Sequence, residues 1–330
     1  MKQYTDFFGV GVSKKTIDIS HYKNEALTHR QFGNYNNGMK EVFEWIIELA
    51  VDANQSLFCM EATGLYCFTL TTFLKEKNID TWVEHAVQIK KANPLARGKN
   101  DKVDSKRIAM YASKNLDRLR LFKPMDATLE KIKHLATLRE RLVETQKRLI
   151  VPIKEFEDVG NISMAKMLSK SIKKSAGAIE KDLANIEKQI IEILYKDEKL
   201  SKKYEFAKSV VGIGFVTAIN LIIYTDGFTQ MNDVRKSACY CGVAPFEFSS
   251  GSSIKGKTKV HHMANKKLKC NLHMASLSAV KLDHDIKAYY ERKVAEGKNK
   301  MSVLNAVRNK LLARVLACVN NEKNYVNKVA

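Results

Sequence analysis

Two stretches in the middle of this chain repeat their leucines and isoleucines at steps of three and four. Over residues 127–149 the repeat is Leu135, Leu138, Leu142 and Leu149, with Thr145 at the intervening step. Over residues 178–195 it is Ile179, Leu183, Ile186, Ile190 and Ile193. That period places apolar side chains along one seam of a helix and commits this third of the chain to paired helices, as in a coiled coil. "PIKEFEDVGN", with Pro152 and Gly160, is predicted to interrupt the first pattern. Two such helices make an antiparallel hairpin or dimerising arm, or else part of an ordinary bundle. The Lys and Glu residues flanking the seam favour a projecting arm.

The first third has a different period. "DFFGVGVSKKTIDIS", residues 6–20, reads as strand, tight turn and strand. Strands are predicted at 7–12, at 16–20 and briefly around 31–32. A helix over 38–50 follows, with Val42, Trp45, Ile46 and Leu49 on one face. "QSLFCME" reads as a buried strand ending at Glu61, "GLYCFTLTTFLKEK" as a helix, "IDTWVE" as a strand and 103–113 as a helix. Strands followed by strand–helix alternation predict an α/β layer with a mixed sheet. Gly11 stands out in the first strand. A glycine there packs nothing and loses the most entropy on folding, so it marks a bulge, a close backbone approach or an absent side chain.

The last third reads as mostly helical with one loop-rich insert. "SVVGIGFVTAINLIIY" has the spacing of a helix-hairpin-helix turn, in which Gly212 and Gly214 would present backbone N–H groups to an anion. A glycine turn between packed helices has the same spacing. Next come Ser249, Ser250, Gly251, Ser252 and Ser253, then Lys255, Lys257, Lys259, Lys266, Lys267 and Lys269 with no acid among them. A lysine run beside a serine turn suits contact with a phosphate backbone. A solvated loop does not account for the missing acids.

Charge supports the same direction. The 330 residues carry 56 Lys plus Arg against 36 Asp plus Glu, a formal net charge of +20, which favours a polyanionic partner, nucleic acid first. No apolar run is long enough to span a membrane. The six cysteines sit mostly among apolar or small residues, as reduced core thiols do, which points to the cytoplasm. Cys239 and Cys241 lack the usual zinc spacing, so His261 and His262 read as surface histidines.

Three acids remain as candidates for chemistry. Glu61 closes a strand, and Asp101 and Asp104 lie three apart at a helix start, where both can point the same way. Glu61 could be a solvated strand end and Asp104 a helix cap. Taken together on an α/β domain, they suggest an oxygen-only Mg²⁺ site for phosphoryl transfer.

The ordered set "GVGVSKKTIDI", "MEATGLY", "NDKVDSKRIA", "VVGIGFVTA" and "YCGVAPFEFSSGSSIKGKTKV" resembles the DEDD-type insertion-sequence transposases, the Piv/MooV-like IS one-ten group, over nearly the whole chain. The resemblance implies a ribonuclease-H-like (RuvC-like) catalytic domain over 1–124, a coiled-coil dimerisation region over 125–200 and a mostly helical transposase domain over 201–330. It implies an RNA-guided DNA recombinase in which a bridge RNA pairs with donor and target DNA and the protein assembles as dimers into a tetramer, in the cytosol at the nucleoid. The family's acid tetrad falls at position 11, Glu61, Asp101 and Asp104. Its serine nucleophile falls at Ser250, with Ser249 and Ser252 as neighbours that the motif alone does not separate. The family pattern has aspartate where this chain has Gly11, which implies an inactivated form, natural or engineered, ahead of a metal site that works without that acid. A non-catalytic nucleic-acid-binding protein and a branched-DNA nuclease using the carboxylates alone are the competing readings.

Overall fold

The computed structural model describes residues 2–92, 100–231, 233–251 and 254–326, and for residues 248, 250, 254, 255 and 257 the backbone alone. The chain forms two compact units, Met1–Pro124 and Met125–Ala330.

The first unit is built on strands β1 (Asp6–Val12), β2 (Thr16–Lys23), β3 (Ala26–Gly33), β4 (Ser56–Glu61) and β5 (Asp80–Glu84). They form one mixed sheet in the order β3-β2-β1-β4-β5. β1–β2 and β2–β3 are antiparallel, while β1–β4 and β4–β5 are parallel. β3 is longer than its sequence suggests, because most of its residues are exposed at the sheet edge and carry no apolar alternation. Helices α1 (Asn36–Glu48) and α2 (Phe68–Glu76) supply one covering layer, and α3 (Ala86–Ala92) and α4 (Asp101–Lys114) follow later in the chain.

Strand alternation divides the core in two. Phe8, Val10, Ile17, Ile19, Phe58 and Met60 pack with Met39, Val42, Trp45 and Ile46 of α1 and with Leu70 and Leu74 of α2. Each such side chain, fully buried, contributes roughly 1.5–3 kcal/mol. The other face presents Phe7, Leu57, Cys59 and Trp82 to Ile108, Tyr111 and Ala112 of α4. Here α4 approaches β1 very closely. A Cβ placed on Gly9 would lie 2.1 Å from both Ser105 O and Ala109 N. A buried Ser20–Ser105 hydroxyl hydrogen bond of 2.8 Å sets the helix against β2.

The second unit begins with α5 (Ala127–Asp158) and α6 (Ile162–Tyr195), an antiparallel hairpin. α5 continues through Pro152, and the break lies at Gly160 (φ +78°). On α6, Ile186 and Ile190 of the expected seam are buried, and at its end Leu194 is buried in place of Ile193, which is only partly covered. On α5 the seam differs. Leu138 is 45% exposed, whereas Arg139 bonds Glu187 at 2.7 Å and Gln146 bonds Glu180 at 3.3 Å. The inward positions therefore step by four and then three from Leu135, and polar side chains occupy places expected of leucines. The base of the hairpin (Leu129, Ile132, Ala136, Ile186, Ile190 and Leu194) enters the core of a helical domain. That domain comprises α7 (Glu198–Lys208), α8 (Phe215–Tyr224), α9 (Val234–Tyr240), α10 (Lys266–Leu282), α11 (His284–Ala295) and α12 (Lys300–Asn320), with a two-stranded hairpin β6 (Phe246–Ser250) and β7 (Ile254–Lys259) between α9 and α10. Among the described residues no helix is long and apolar enough to cross a membrane.

The two strand glycines should respond differently to a methyl group. At Gly9 the clash is with helix backbone, so Gly9→Ala is expected to cost the first unit about 2 kcal/mol or more in urea unfolding. At Gly11→Ala the nearest atom is Asp101 O, at 3.1 Å, with Asp101 C and Cβ at 3.7 Å, and the change in stability is expected to be less than about 1 kcal/mol.

Candidate active site

Asn100 caps α4, its Oδ1 accepting from Val103 N at 2.7 Å. The cap places Asp101 and Asp104 in the first helical turn, where carboxylates complement the helix dipole. The capping role considered for Asp104 thus falls to Asn100. Asp101 is exposed. Asp104 pairs with Arg107 at 3.3 Å, both partly exposed, so the pair adds little stability.

The sheet brings the remaining positions to the same face. β1 pairs with β2 through Gly11↔Asp18 and Val12↔Ile17 without a register shift, so Gly11 marks no bulge. A Cβ at Gly11 would point at the start of α4, 3.1 Å from Asp101 O and 3.7 Å from Asp101 Cβ. β1 and β4 are in register at Val10↔Met60, and Glu61 follows on the face that carries Leu57 and Cys59. Glu61 is half-buried, and its carboxylate has no hydrogen bond or ion pair among the described residues. Burial and the charges of Glu84 and Glu61 push the Cys59 thiol well above its ordinary range.

Two further acids lie on this face. Glu84 ends β5 in register with Glu61 and accepts from the Tyr111 hydroxyl at 3.3 Å. Burial, and then Glu84, push Tyr111 up to about 12. The signal was present in the sequence, since "IDTWVE" ends on a glutamate as "LFCME" does. Asp18, opposite Gly11, is buried and bonds His29 at 2.9 Å and Gln31 at 3.0 Å. Only the strand register reveals its position. The donor set is all oxygen, of the kind Mg²⁺ takes. Among the described residues, however, no three acidic, histidine or cysteine groups lie close enough to hold an ion.

In the second unit Ser250 is the last residue of β6, with its backbone paired to Ile254, and Gly251 follows at φ +58°. Ser249 pairs with Lys255. Ser252 and Ser253 lie outside the described residues. Lys255 and Lys257 are on β7 with only their backbones described, and Lys259 is exposed at its end. Lys266 and Lys269 stand in the first turn of α10, Lys266 exposed and Lys269 half-buried. Lys267 is engaged within the chain, pairing with Glu140 at 2.6 Å and lying over the Tyr224 ring. The two glycines of the turn differ. A Cβ on Gly212 would meet Ala275 O at 2.6 Å, so this residue lets α10 approach, whereas Gly214 caps α8 with nothing within 4 Å.

A family model described as Transposase, of the DEDD-type IS110 group, matches residues 8–156. A second, described as Transposase IS116/IS110/IS902 family, matches residues 204–291. This chain carries IS110-family transposase domains. The first transposase match holds Gly11, Glu61, Asp101 and Asp104, and the second holds Gly212, Gly214, Ser250 and all six lysines of the run. No curated protein matches the chain. Transposase domains of this kind support action on DNA in the transposition or recombination of an insertion sequence.

The direction of position 11 makes a metal-dependent outcome measurable. Gly11→Asp sets a carboxylate against Asp101 and is expected to lower the melting temperature in chelator, by like-charge repulsion. Added Mg²⁺ should then raise it more than it raises the unaltered protein, because an ion bound only by the folded state stabilises it. Equal responses would show that position 11 takes no part in a cation site.

Proposed function

We propose that this chain is the RNA-guided DNA recombinase of an insertion sequence, in a form impaired by Gly11. The observation that carries the reading is the aim of position 11 at Asp101, on the sheet face shared with Glu61, within a transposase domain. The mixed sheet with β1 at its centre supports the ribonuclease-H-like, RuvC-like assignment of residues 1–124. Glu61, Asp101 and Asp104 are the acids assigned to Mg²⁺, which supplies charge stabilisation in phosphoryl transfer when bound. Ser250 is the assigned nucleophile. Its Oγ attacks a DNA phosphorus, the bond to the departing sugar oxygen breaks, and the strand is held as a phosphoserine ester until a DNA hydroxyl displaces the serine. Its place at a hairpin tip beside Gly251 supports this role, as the paired lysine strand supports backbone contact. A bridge RNA, pairing with donor and target DNA, suits the +20 charge.

Self-assembly through residues 125–200, as dimers and then a tetramer, belongs to the same proposal. Leu138, Val151, Ile162 and Met167 are exposed on the α5–α6 hairpin. Leu138→Glu leaves the intramolecular seam intact and is expected to lower the mass measured by light scattering. An unchanged mass assigns the hairpin to a single chain.

Gly11 itself favours a second reading, a nucleic-acid-binding protein without catalysis. Strand-exchange assays with the element's RNA and DNA separate the two. Gly11→Asp is expected to restore Mg²⁺-dependent exchange by at least about a hundredfold, the scale of a misplaced catalytic group. Adding Ser250→Ala should abolish it again. Exchange by the unaltered chain at the rate of Gly11→Asp would refute the four-carboxylate reading. Loss on Ser249→Ala, with Ser250→Ala still active, would move the nucleophile one residue earlier.

A further inference from the structure

The helical unit buries a cation for which it supplies no anion. Arg308, on α12, is 5% exposed. Its Nη2 donates to His273 Nδ1 at 2.8 Å, and Nη1 makes a long contact to Asn305 Oδ1 at 3.5 Å. Its Nε–H is buried without a partner, and among the described residues no carboxylate lies within ion-pair distance. A guanidinium has five N–H donors in a planar fork, so most of its hydrogen-bonding capacity is unused. Burying a charge without compensation is costly, and an anion reaching this guanidinium would offset that cost.

The surroundings favour the same ligand. His273 titrates below its ordinary range, through burial first and the neighbouring Arg308 charge second. It is therefore neutral near pH 7. Its Nδ1 accepts from Arg308, so Nε2 carries the proton and is a further donor. Lys269 and Lys266 precede His273 by four and seven residues on α10, on the same helical face. The Lys269 side chain reaches the turn at Gly242, with Cδ 3.4 Å from a Cβ built there. Asn305 Nδ2 donates to Val243 O at 2.8 Å, tying α12 to the segment that leads into β6. Arg308, His273, Asn305 and Lys269 thus gather where the chain departs for the serine hairpin.

We propose that Arg308 and His273 bind a backbone phosphate of DNA at the root of the β6–β7 hairpin. This rests on the reading of the chain as acting on nucleic acid, and within that reading it names a contact outside the lysine run. A phosphate accepts two parallel N–H bonds from one guanidinium, and Arg308 has N–H donors left beyond those engaged by His273 and Asn305. A phosphate held there anchors the strand beside the segment that carries Ser250.

The test compares the full-length chain with Arg308→Met, Arg308→Lys and His273→Gln in binding a short mixed-sequence DNA duplex over a salt series. Arg308→Met is expected to be at least as thermally stable as the unaltered chain without DNA, because it removes an uncompensated buried charge. It should bind the duplex about tenfold more weakly at any sequence, with the slope of log K against log salt reduced by about one. Arg308→Lys should keep the slope and lose part of the affinity, and His273→Gln should weaken binding with stability retained. Lowered stability in Arg308→Met, with duplex binding by Arg308→Lys and His273→Gln unchanged, would make Arg308 structural and overturn the site. Weakened binding to single-stranded RNA alone would overturn the assignment to DNA. If the unaltered chain binds no duplex, the underlying reading fails and the site with it. Duplex binding that Arg308→Met leaves intact removes this site alone.

Discussion

The seat of α4 on Gly9 is the contact on which the arrangement of the N-terminal unit depends. With no side chain at that point, the helix backbone comes within 2.1 Å of where a Cβ would stand. The Ser20–Ser105 hydrogen bond then settles its position along the strand. Asp101 and Asp104 belong to the first turn of this helix, so the height at which they stand over the sheet follows from the depth at which α4 sits. Two glycines two residues apart on β1 therefore have opposite meanings. Gly9 is required by the packing. Gly11 faces the same helix and is required by nothing the packing reveals.

Much of this was legible from residue patterns. β1 and β4 were clear as short apolar runs bounded by turn signals, because helices cover both of their faces. The α6 seam was readable because isoleucines and leucines, with no polar residue among them, fill it. The α5 seam departs from its leucine pattern by one residue, since Arg139 and Gln146 occupy inward positions while Leu138 turns outward. Hydrophobic period cannot register a seam closed by ion pairs and hydrogen bonds. Pro152 was expected to break α5, yet the helix passes through it. Its missing N–H removes one bond from a long ladder, and α6 packs alongside to hold the remainder. Residues brought together only by tertiary pairing left no local trace. Asp18 is opposite Gly11 through a strand register, and Arg308 meets His273 through helix packing across 35 positions.

The cation-rich second unit manages its charge unevenly. Lys267 is neutralised by Glu140, and Arg314 by Asp283, a fully buried carboxylate that also caps α11 through Ile286 N. These charges hold helices together. Lys266 and Lys259, by contrast, are exposed with no acid paired to them among the described residues. A net charge therefore says little about which cations are free to meet a polyanion. The ion-pair geometry sorts structural cations from available ones, and the run that looked uniform in sequence divides between the two.

The α5–α6 hairpin also sets a length. Leu142 is the last residue of α5 that packs on the helical core, and the sixteen residues from Val143 to Asp158 continue beyond it, about 24 Å at 1.5 Å per residue. The polar seam fixes the register of that extension, because a slip by one residue would separate Arg139 from Glu187 and Gln146 from Glu180. A helix pair held in a single register behaves as a stiff spacer. Its tip stands from its base at a distance equal to the rise of about seven base pairs of duplex, so whatever the tip grips is held at a set phase from whatever the base grips.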